Sequence, residues 1–435
     1  MTHPVVIIGA GLAGLSAALH LPSSPVLLIE REGDIGGKAT THRRDGFTFD
    51  VTGHWIHLRN PAARRLVREL LQPDDLVEIQ RRTTVYTHGV MLPYPFQANI
   101  HGLPRAAMLQ CLRDYLAARL KALGSRSRSS NFEEFIVRRF GRGMAEHFFI
   151  PYYTKFWGFS LEEITADWLE RYLPSPSFAS VLAGALGIDQ HSVGYNSRFL
   201  YNIHGGIDIL PRALLNSCLK NGNVTLRTST DVERIDVAGR RIRLSGSRRW
   251  QHYGALVSTI PVPAFIDRID DVPTEIKDAR RMLRSIPLRY LNIAIRAVPR
   301  MREHWVYTPE PDFPFYRMGI FTNASASMAP AGCTALWVEL ADRVGPVDIP
   351  ATLSALQRLG AITSPDKVAF VEQHDIEDAY VVFDDAREQA VNTITSWLTG
   401  QGIHSCGRYG GWTYGSMEDS IVDGIAVAHA LRGGK

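Results

Sequence analysis

The residues best placed to do chemistry begin at the N-terminal end. Gly9, Gly11 and Gly14 form a Gly-x-Gly-x-x-Gly run, and Glu30 follows Gly9 by 21 residues. In such a run the first glycine permits a tight turn. The second lets a pyrophosphate approach the backbone, and the third lets a helix lie close to a strand. The N–H groups at the start of that helix attract phosphate, and an acid at the position of Glu30 accepts hydrogen bonds from ribose hydroxyls. A second doublet, Gly36-Gly37, is followed by Lys38 and Thr40 and marks a further backbone approach to the same ligand. A glycine turn holding no ligand is the plainer alternative.

The elements needed to position these residues are legible nearby. Residues 4–9 (PVVIIG) form a β-branched apolar run, LSAALHL follows at helical spacing, and a second apolar run from Pro25 to Ile29 ends at Glu30. This is the pattern of a βαβ unit whose strands are buried on both faces. Helices are expected over 61–72, 104–124 and most of 132–171, strands through 223–260 and again over 288–296 and 334–341, and a last helix from Ile421 to Leu431. No internal repeat is visible. The Arg–Ser run at 125–130 reads as a solvated loop, with phosphate binding as the alternative.

Composition narrows the function classes. The chain has 435 residues, of which 45% are apolar, enough for a sizeable core. Lys and Arg number 48 against 44 Asp and Glu, a net +4 spread along the chain, which argues against a nucleic-acid surface. No apolar run reaches the ~18 residues of a membrane span. The start lacks a basic region and a cleavage site, so a secretory signal is not expected. Cys111, Cys218, Cys333 and Cys406 are far apart, which disfavours zinc and disulfides and leads us to expect a reducing cytoplasm.

With its two glycine motifs the chain resembles the large FAD-binding family that includes amine oxidases, protoporphyrinogen oxidase and UDP-galactopyranose mutase. Amine oxidases usually carry Arg after the doublet, where this chain has Lys38. Further segments resemble the mutases, particularly the eukaryotic type, and the likeness runs from residue 4 to about 431. Phe49 to His57 resembles their glycine–histidine loop, which implies that Gly53 and His54 pack against the flavin. His54 and His57 as a metal pair lack a third ligand nearby, and no metal is expected. Leu92 to Gln97 resembles a segment beside the nucleotide base, and the ring of Tyr94 with the amide of Gln97 can stack on and hydrogen-bond a uracil edge.

His147 to Trp157, followed by Trp168 to Arg171, is similar to the mutases' helical substrate region. The resemblance implies that Phe148 stacks on the base, that Trp157 faces the sugar and that Arg171 reaches the substrate. Tyr153 stands where the mutases commonly have Asn, and Asn196 matches an Asn near the sugar. His304 to Asn323 is similar to the segment whose arginine clamps the diphosphate, here Arg317, with Tyr307 ten residues earlier. Two guanidiniums, Arg171 and Arg317, suit a pyrophosphate because each donates paired N–H bonds. The hydroxyls of Tyr307, Tyr380 and Tyr414 complete the set. Gly407 to Tyr414 resembles the last FAD motif, which implies that Arg408 backs the flavin and that Met417 and Ser420 lie beside it. Val232 belongs to the same implied cofactor set. Thr52, Tyr153 and Ser416 depart from the mutase pattern and leave the base and hexose open.

The expected fold is α/β, a Rossmann-like FAD-binding domain with a helical insertion and a sheet-containing substrate domain. The FAD-binding parts are 1–75, 205–260 and 395–435, the sheet parts 76–99 and 261–394, and the helical part 100–204. The resemblance implies an FAD-dependent isomerase interconverting NDP-hexopyranose and NDP-hexofuranose, UDP-galactose forms first, through a reduced-flavin N5–sugar adduct. NADPH or NADH would be the reductant, and a homo-oligomer is an option. No Ser–His–Asp or paired-carboxylate constellation competes with that division of labour. The alternatives are an FAD-dependent amine oxidase or desaturase, and a sugar-nucleotide binding module without turnover.

Overall fold

The computed structural model describes residues 3–124, 131–166, 173, 175–188 and 197–433. Its frame is a five-stranded parallel sheet in the order Ile403–Ser405, Ala255–Ser258, Val5–Ile8, Val26–Ile29, Val224–Arg227. Val5–Ile8 and Val26–Ile29 are buried throughout, as expected of strands covered on both faces. One face carries the helices Leu12–Leu19, Pro61–Leu70, Ile209–Lys220 and Met417–Gly433. The other carries a three-stranded antiparallel sheet, the helices Val262–Ile266 and Thr274–Met282, and part of Asp385–Gly400.

That second core moves two expected boundaries. Phe265, Ile276 and Ala279 share it with Val6, Ile8 and Ile29, and so do Ala390, Ile394 and Leu398. Helices that bury their apolar side under the parallel sheet fold with it. We therefore propose that the sheet domain runs from about 285 to 384 and not from 261 to 394.

The sheet domain is a seven-stranded mixed sheet in the order Val368–Val381, Ser285–Ile295, Thr334–Leu340, Phe315–Ile320, Trp305–Tyr307, Thr83–Thr87, Val90–Pro93. Its one parallel pairing among the described residues joins Trp305–Tyr307 to Thr83–Thr87. The strand Arg198–Asn202, which falls in the stretch expected to be helical, pairs instead with Leu76–Gln80 as a separate two-stranded sheet.

The helical region contains Arg105–Gly124, Phe132–Met144, a π-helical turn at Ala145–Phe149 and Ile150–Trp157. The expected helix over 132–171 stops at Trp157 because Gly158 adopts a left-handed φ of 78°, a common helix-ending conformation. The 125–130 run and the segments around Arg171 and Asn196 lie outside the described residues. Among the described residues no helix is long and apolar enough to cross a membrane.

The tightest crossing joins the glycine-turn helix Leu12–Leu19 to the terminal helix Met417–Gly433. A Cβ on Gly424 would lie 2.4 Å from the Ala13 carbonyl oxygen and 2.7 Å from Ser16 Cβ, and Ser16 Oγ donates to the Ile421 carbonyl at 2.7 Å. Backbone atoms cannot yield as a flexible side chain can. Gly424→Val should therefore cost about 1–3 kcal/mol of stability by overpacking, read as a lowered melting temperature. An unchanged melting temperature would mean that the crossing is looser.

Candidate active site

Four parts converge: a glycine cradle, a histidine loop, a strand-borne arginine and a wall of tyrosines. In the cradle the two glycine motifs touch each other. Gly36 N–H donates to the Ala10 carbonyl at 2.9 Å, Gly11 and Gly36 form a parallel bridge, and a Cβ on Gly37 would lie 3.3 Å from Gly11 Cα. Gly9 has φ +99°, and a Cβ on Gly14 would lie 2.0 Å from the Gly9 carbonyl oxygen, so both are glycines for reasons internal to the fold. Gly11 is different. It is extended, with φ −74° and ψ −179°, and a Cβ there would meet nothing nearer than 3.9 Å.

The helix that Gly11 begins has no side-chain cap and no acid in its first turn. Its leading N–H groups are left for an anion. Glu30 is 8% exposed and accepts from Ala10 N–H at 2.8 Å and Glu32 N–H at 3.0 Å, which fixes its carboxylate at the strand end. Lys38 borders the cradle. Burial first, then Arg31, lowers its pKa. A bare Cα, uncapped helix N–H groups, a fixed acid and a cation fit the pyrophosphate and ribose of a dinucleotide such as FAD. Thr40 Oγ1 donates to the Gly37 carbonyl at 3.3 Å. Val232 is fully buried at the head of its strand, with its N–H on Asp231 Oδ1 at 2.8 Å.

The histidine loop follows Asp50, a fully buried carboxyl that accepts from Tyr201 Oη at 2.5 Å, Thr41 Oγ1 at 2.7 Å and Ile207 N–H at 2.9 Å. Burial raises the Asp50 pKa to about 6. Thr52, one of the departures from the mutase pattern, adopts φ +56°, a conformation that strains a β-branched residue. Gly53 leaves room for Trp337, whose Cζ2 would lie 3.0 Å from a Cβ there. His54 Nδ1 donates to the Val51 carbonyl, which leaves Nε2 as the acceptor of a neutral ring. Burial lowers the His54 pKa to about 4, helped by the charges of Arg408, Lys38 and Arg317.

Arg317 is set by strand register. Tyr307 pairs with Arg317, and Arg317 with Glu339, across three adjacent antiparallel strands. The ten-residue interval between Tyr307 and Arg317 thus makes them cross-strand partners on one face. A bulge at Phe315–Arg317 re-aims consecutive side chains, so Tyr316 and Arg317 both act on Glu339 and Tyr380. Glu339, fully buried, grips the guanidinium at 2.6 Å and 2.7 Å through Nη2 and at 3.1 Å through Nε. Burial, the largest single influence, works against the Arg317 charge, but Glu339 together with the groups of Tyr380, Tyr152 and Tyr307 raises the pKa well above the ordinary value. Arg317 Nη2 also donates to Tyr380 Oη at 3.2 Å. The Arg317 side chain is still 24% exposed, so part of its charge faces the cleft.

The tyrosines form the wall. Tyr94 and Tyr307 lie 5.4 Å apart, and Tyr307 meets Tyr152 at 5.2 Å. Tyr152 meets Tyr153 at 5.2 Å. Arg408 lies over Tyr380 at 5.3 Å and over Tyr414 at 5.1 Å, with Nη2 on the Ala379 carbonyl at 2.8 Å. Burial raises the pKa of Tyr94, Tyr153 and Tyr380, which keeps them as neutral O–H groups. His54, Tyr94, Tyr153, Tyr307, Arg317, Tyr380, Arg408 and Tyr414 are therefore brought together.

Gln97, Phe148 and Trp157 are placed differently, at 1%, 4% and 2% exposure behind that wall. Phe148 stacks between Phe96 at 4.9 Å and Tyr152 at 5.5 Å. Gly407, with φ +77°, lies against Ala13. Met417 begins the terminal helix, and Ser420 Oγ donates to the Ser416 carbonyl at 3.2 Å. Arg171 and Asn196 lie outside the described residues.

Sequence reasoning missed Glu339 and Arg81. The first had a signal, a lone acid inside the buried apolar strand Thr334–Leu340, which must find a cation. Arg81, which lies over Tyr94 at 4.6 Å and Trp305 at 5.4 Å, had none.

Comparison with known proteins bears on the family and the fold. The profile of the flavin containing amine oxidoreductases matches residues 12–302. The chain belongs to that family. Its structure is similar to that of a reduced UDP-galactopyranose mutase, with a TM-score of 0.91 and 25% identity over 100% of this chain and 95% of the other. A putative protoporphyrinogen oxidase from Exiguobacterium sp. 255-15 shares the fold, with a TM-score of 0.75 and 15% identity over the full length of both chains. A 4,4'-diaponeurosporene oxygenase of Staphylococcus aureus is 45% identical over 53 residues, 12% of this chain and 11% of the oxygenase. The match to that relative thus spans about a tenth of its length.

Two outcomes are expected. Because the protein itself tolerates a Cβ at Gly11, Gly11→Ala should keep the melting temperature of the flavin-free protein while the purified variant loses most of its flavin absorbance. Retained absorbance would remove Gly11 from the cradle. Acid sensitivity is the second. Burial lowers His54, His57 and His304 from the ordinary 6.5 to about 4. The unfolded chain takes up these protons first, so stability present above pH ~6.5 is lost as pH falls towards 4. His54→Asn removes one of these contributions, and its melting temperature should fall less steeply over that window than that of the unaltered protein. Equal slopes would refute the buried neutral state.

Proposed function

We propose that the chain is an FAD-dependent nucleotide-sugar mutase that interconverts the pyranose and furanose forms of an NDP-hexose, with UDP-galactose as the first pair to test. The observation that carries this reading is Arg317, held by Glu339 and Tyr380 with part of its charge facing a cleft of tyrosine hydroxyls beside His54. The likeness to the mutase supports it. The cleft has the cations and neutral O–H groups that a glycosyl diphosphate needs, whereas an amine or lipid substrate calls for an apolar passage.

Gly11, Glu30, Gly37 and Lys38 would hold the pyrophosphate and ribose of FAD, and His54 and Arg408 its ring end. Reduced flavin supplies nucleophilic chemistry when bound, with NADPH or NADH as the proposed reductant. The protein's own work is positional and electrostatic. Arg317 stabilises the charge that grows on the departing diphosphate, and being held in advance it loses little on reorganising. Tyr307, Tyr380 and Tyr414 donate O–H bonds to the same oxygens. His54 Nε2 accepts a hydrogen bond at the flavin edge, and its neutral state keeps a third positive charge from competing for the diphosphate. Phe148 acts from behind by holding Tyr152 in place.

The test is to incubate the holoprotein with UDP-galactofuranose, with and without dithionite, and to separate the nucleotides by chromatography. Conversion only under reduction is expected, and Arg317→Ala should lose about 2–4 kcal/mol of transition-state stabilisation in kcat/KM. Hydrogen peroxide released from an amine, or binding without turnover, would overturn the reading. Near-unchanged kcat/KM in the variant would remove Arg317 from its role.

A further inference from the structure

We propose that a second, separate site lies between the hairpin Thr41–Asp50 and the edge of the seven-stranded sheet, and that it binds a phosphorylated aromatic molecule of the size of a purine mononucleotide. A cavity of about 440 Å³ is lined there by Arg44, Asp45, Phe47, Arg296, Cys333 and Phe370, among others. That volume lies in the ~300–1,000 Å³ range of small-molecule sites, and the lining shares no residue with the cleft around Arg317. The proposal is independent of the mutase reading.

Two chemistries meet in this groove. The first is a guanidinium plane laid over an aromatic ring. Phe47 and Phe370 meet edge to face at 5.6 Å, and the Arg44 guanidinium lies over the Phe370 ring at 4.4 Å. Glu372 at 2.9 Å and Asp45 at 3.4 Å already answer the charge of Arg44, so what Arg44 offers a ligand is chiefly its planar face. The second chemistry is an unanswered charge. Arg296 lines the same groove, is exposed, and has no acidic partner among the described residues. An anion satisfies it with paired N–H bonds.

A molecule that carries both an aromatic ring and an anionic group such as a phosphate uses both features. Inorganic phosphate uses one, and an apolar ring uses the other. The wall opposite is a turn closed by the Cys333 N–H on the Pro330 carbonyl at 2.9 Å, with φ +78° at Gly332. Gly46 of the hairpin lies against the Pro330 ring, where a Cβ would come within 3.1 Å.

Cys333 reports occupancy. It is partly exposed, whereas Cys111, Cys218 and Cys406 are buried, so a thiol reagent such as DTNB reads Cys333 in the native holoprotein. Its modification rate is measured with AMP and, separately, with inorganic phosphate. Saturating AMP should slow modification by at least about tenfold, since only the unoccupied fraction reacts, and phosphate at the same concentration should not. Arg296→Ala should abolish the protection at an unchanged melting temperature, because that side chain is exposed, and Phe370→Leu should weaken it. Absence of protection by AMP, equal protection by phosphate, or full protection in Arg296→Ala would each overturn the proposal.

Discussion

A carboxylate with no access to water organises the cleft. Glu339 is fully buried in a strand whose other residues are almost all apolar. An ion placed there costs several kcal/mol unless a partner answers it. Arg317 answers with the Nε–Nη2 edge of its guanidinium, and strand register decides that the two residues face each other. Everything near the pair adjusts to it. Trp337 supports the guanidinium at 5.4 Å, Gly319 and Gly53 are bare to admit that indole, and Tyr380 accepts a further bond from Nη2. The pair leaves the arginine charged and immobile, the state in which it can stabilise an anion without reorganising.

The histidine loop ties this pair to the glycine cradle. At one end the carboxyl of Asp50 is anchored by three donors from separate parts of the chain. Along the loop Gly53 fits against Trp337 and His54 feels the charges of both Arg317 and Lys38. Binding at the cradle and binding at Arg317 therefore act on one short segment, whose strain at Thr52 is tolerated because both flanks are fixed.

The aromatic wall divides its labour by depth. Phe148, Phe149, Phe156 and Trp157 are buried in the helical core, where each contributes area and a fixed geometry. Tyr94, Tyr153, Tyr307 and Tyr380 are packed against that core yet keep accessible surface. Their hydroxyls can then meet a polar ligand while their rings stay in place, a use of tyrosine that phenylalanine could not serve.

By itself the sequence determined the glycine cradle and the βαβ unit around it, because turn, strand and helix there are local. The family resemblance of its segments named the tyrosines and two arginines, Arg171 and Arg317, and the structure then makes Tyr307 and Arg317 cross-strand partners. Tertiary structure alone decided the rest. The bulge that turns Tyr316 and Arg317 to the same company breaks the period of two on which a sequence reading depends. The partnership of Glu339 with Arg317 spans 22 residues and rests on strand order. The placing of Gln97, Phe148 and Trp157 behind the cleft, and of the helices at 262–282 under the parallel sheet, follows from competition among apolar surfaces for burial. That competition is settled by the whole chain at once, and no short stretch of residues records its outcome.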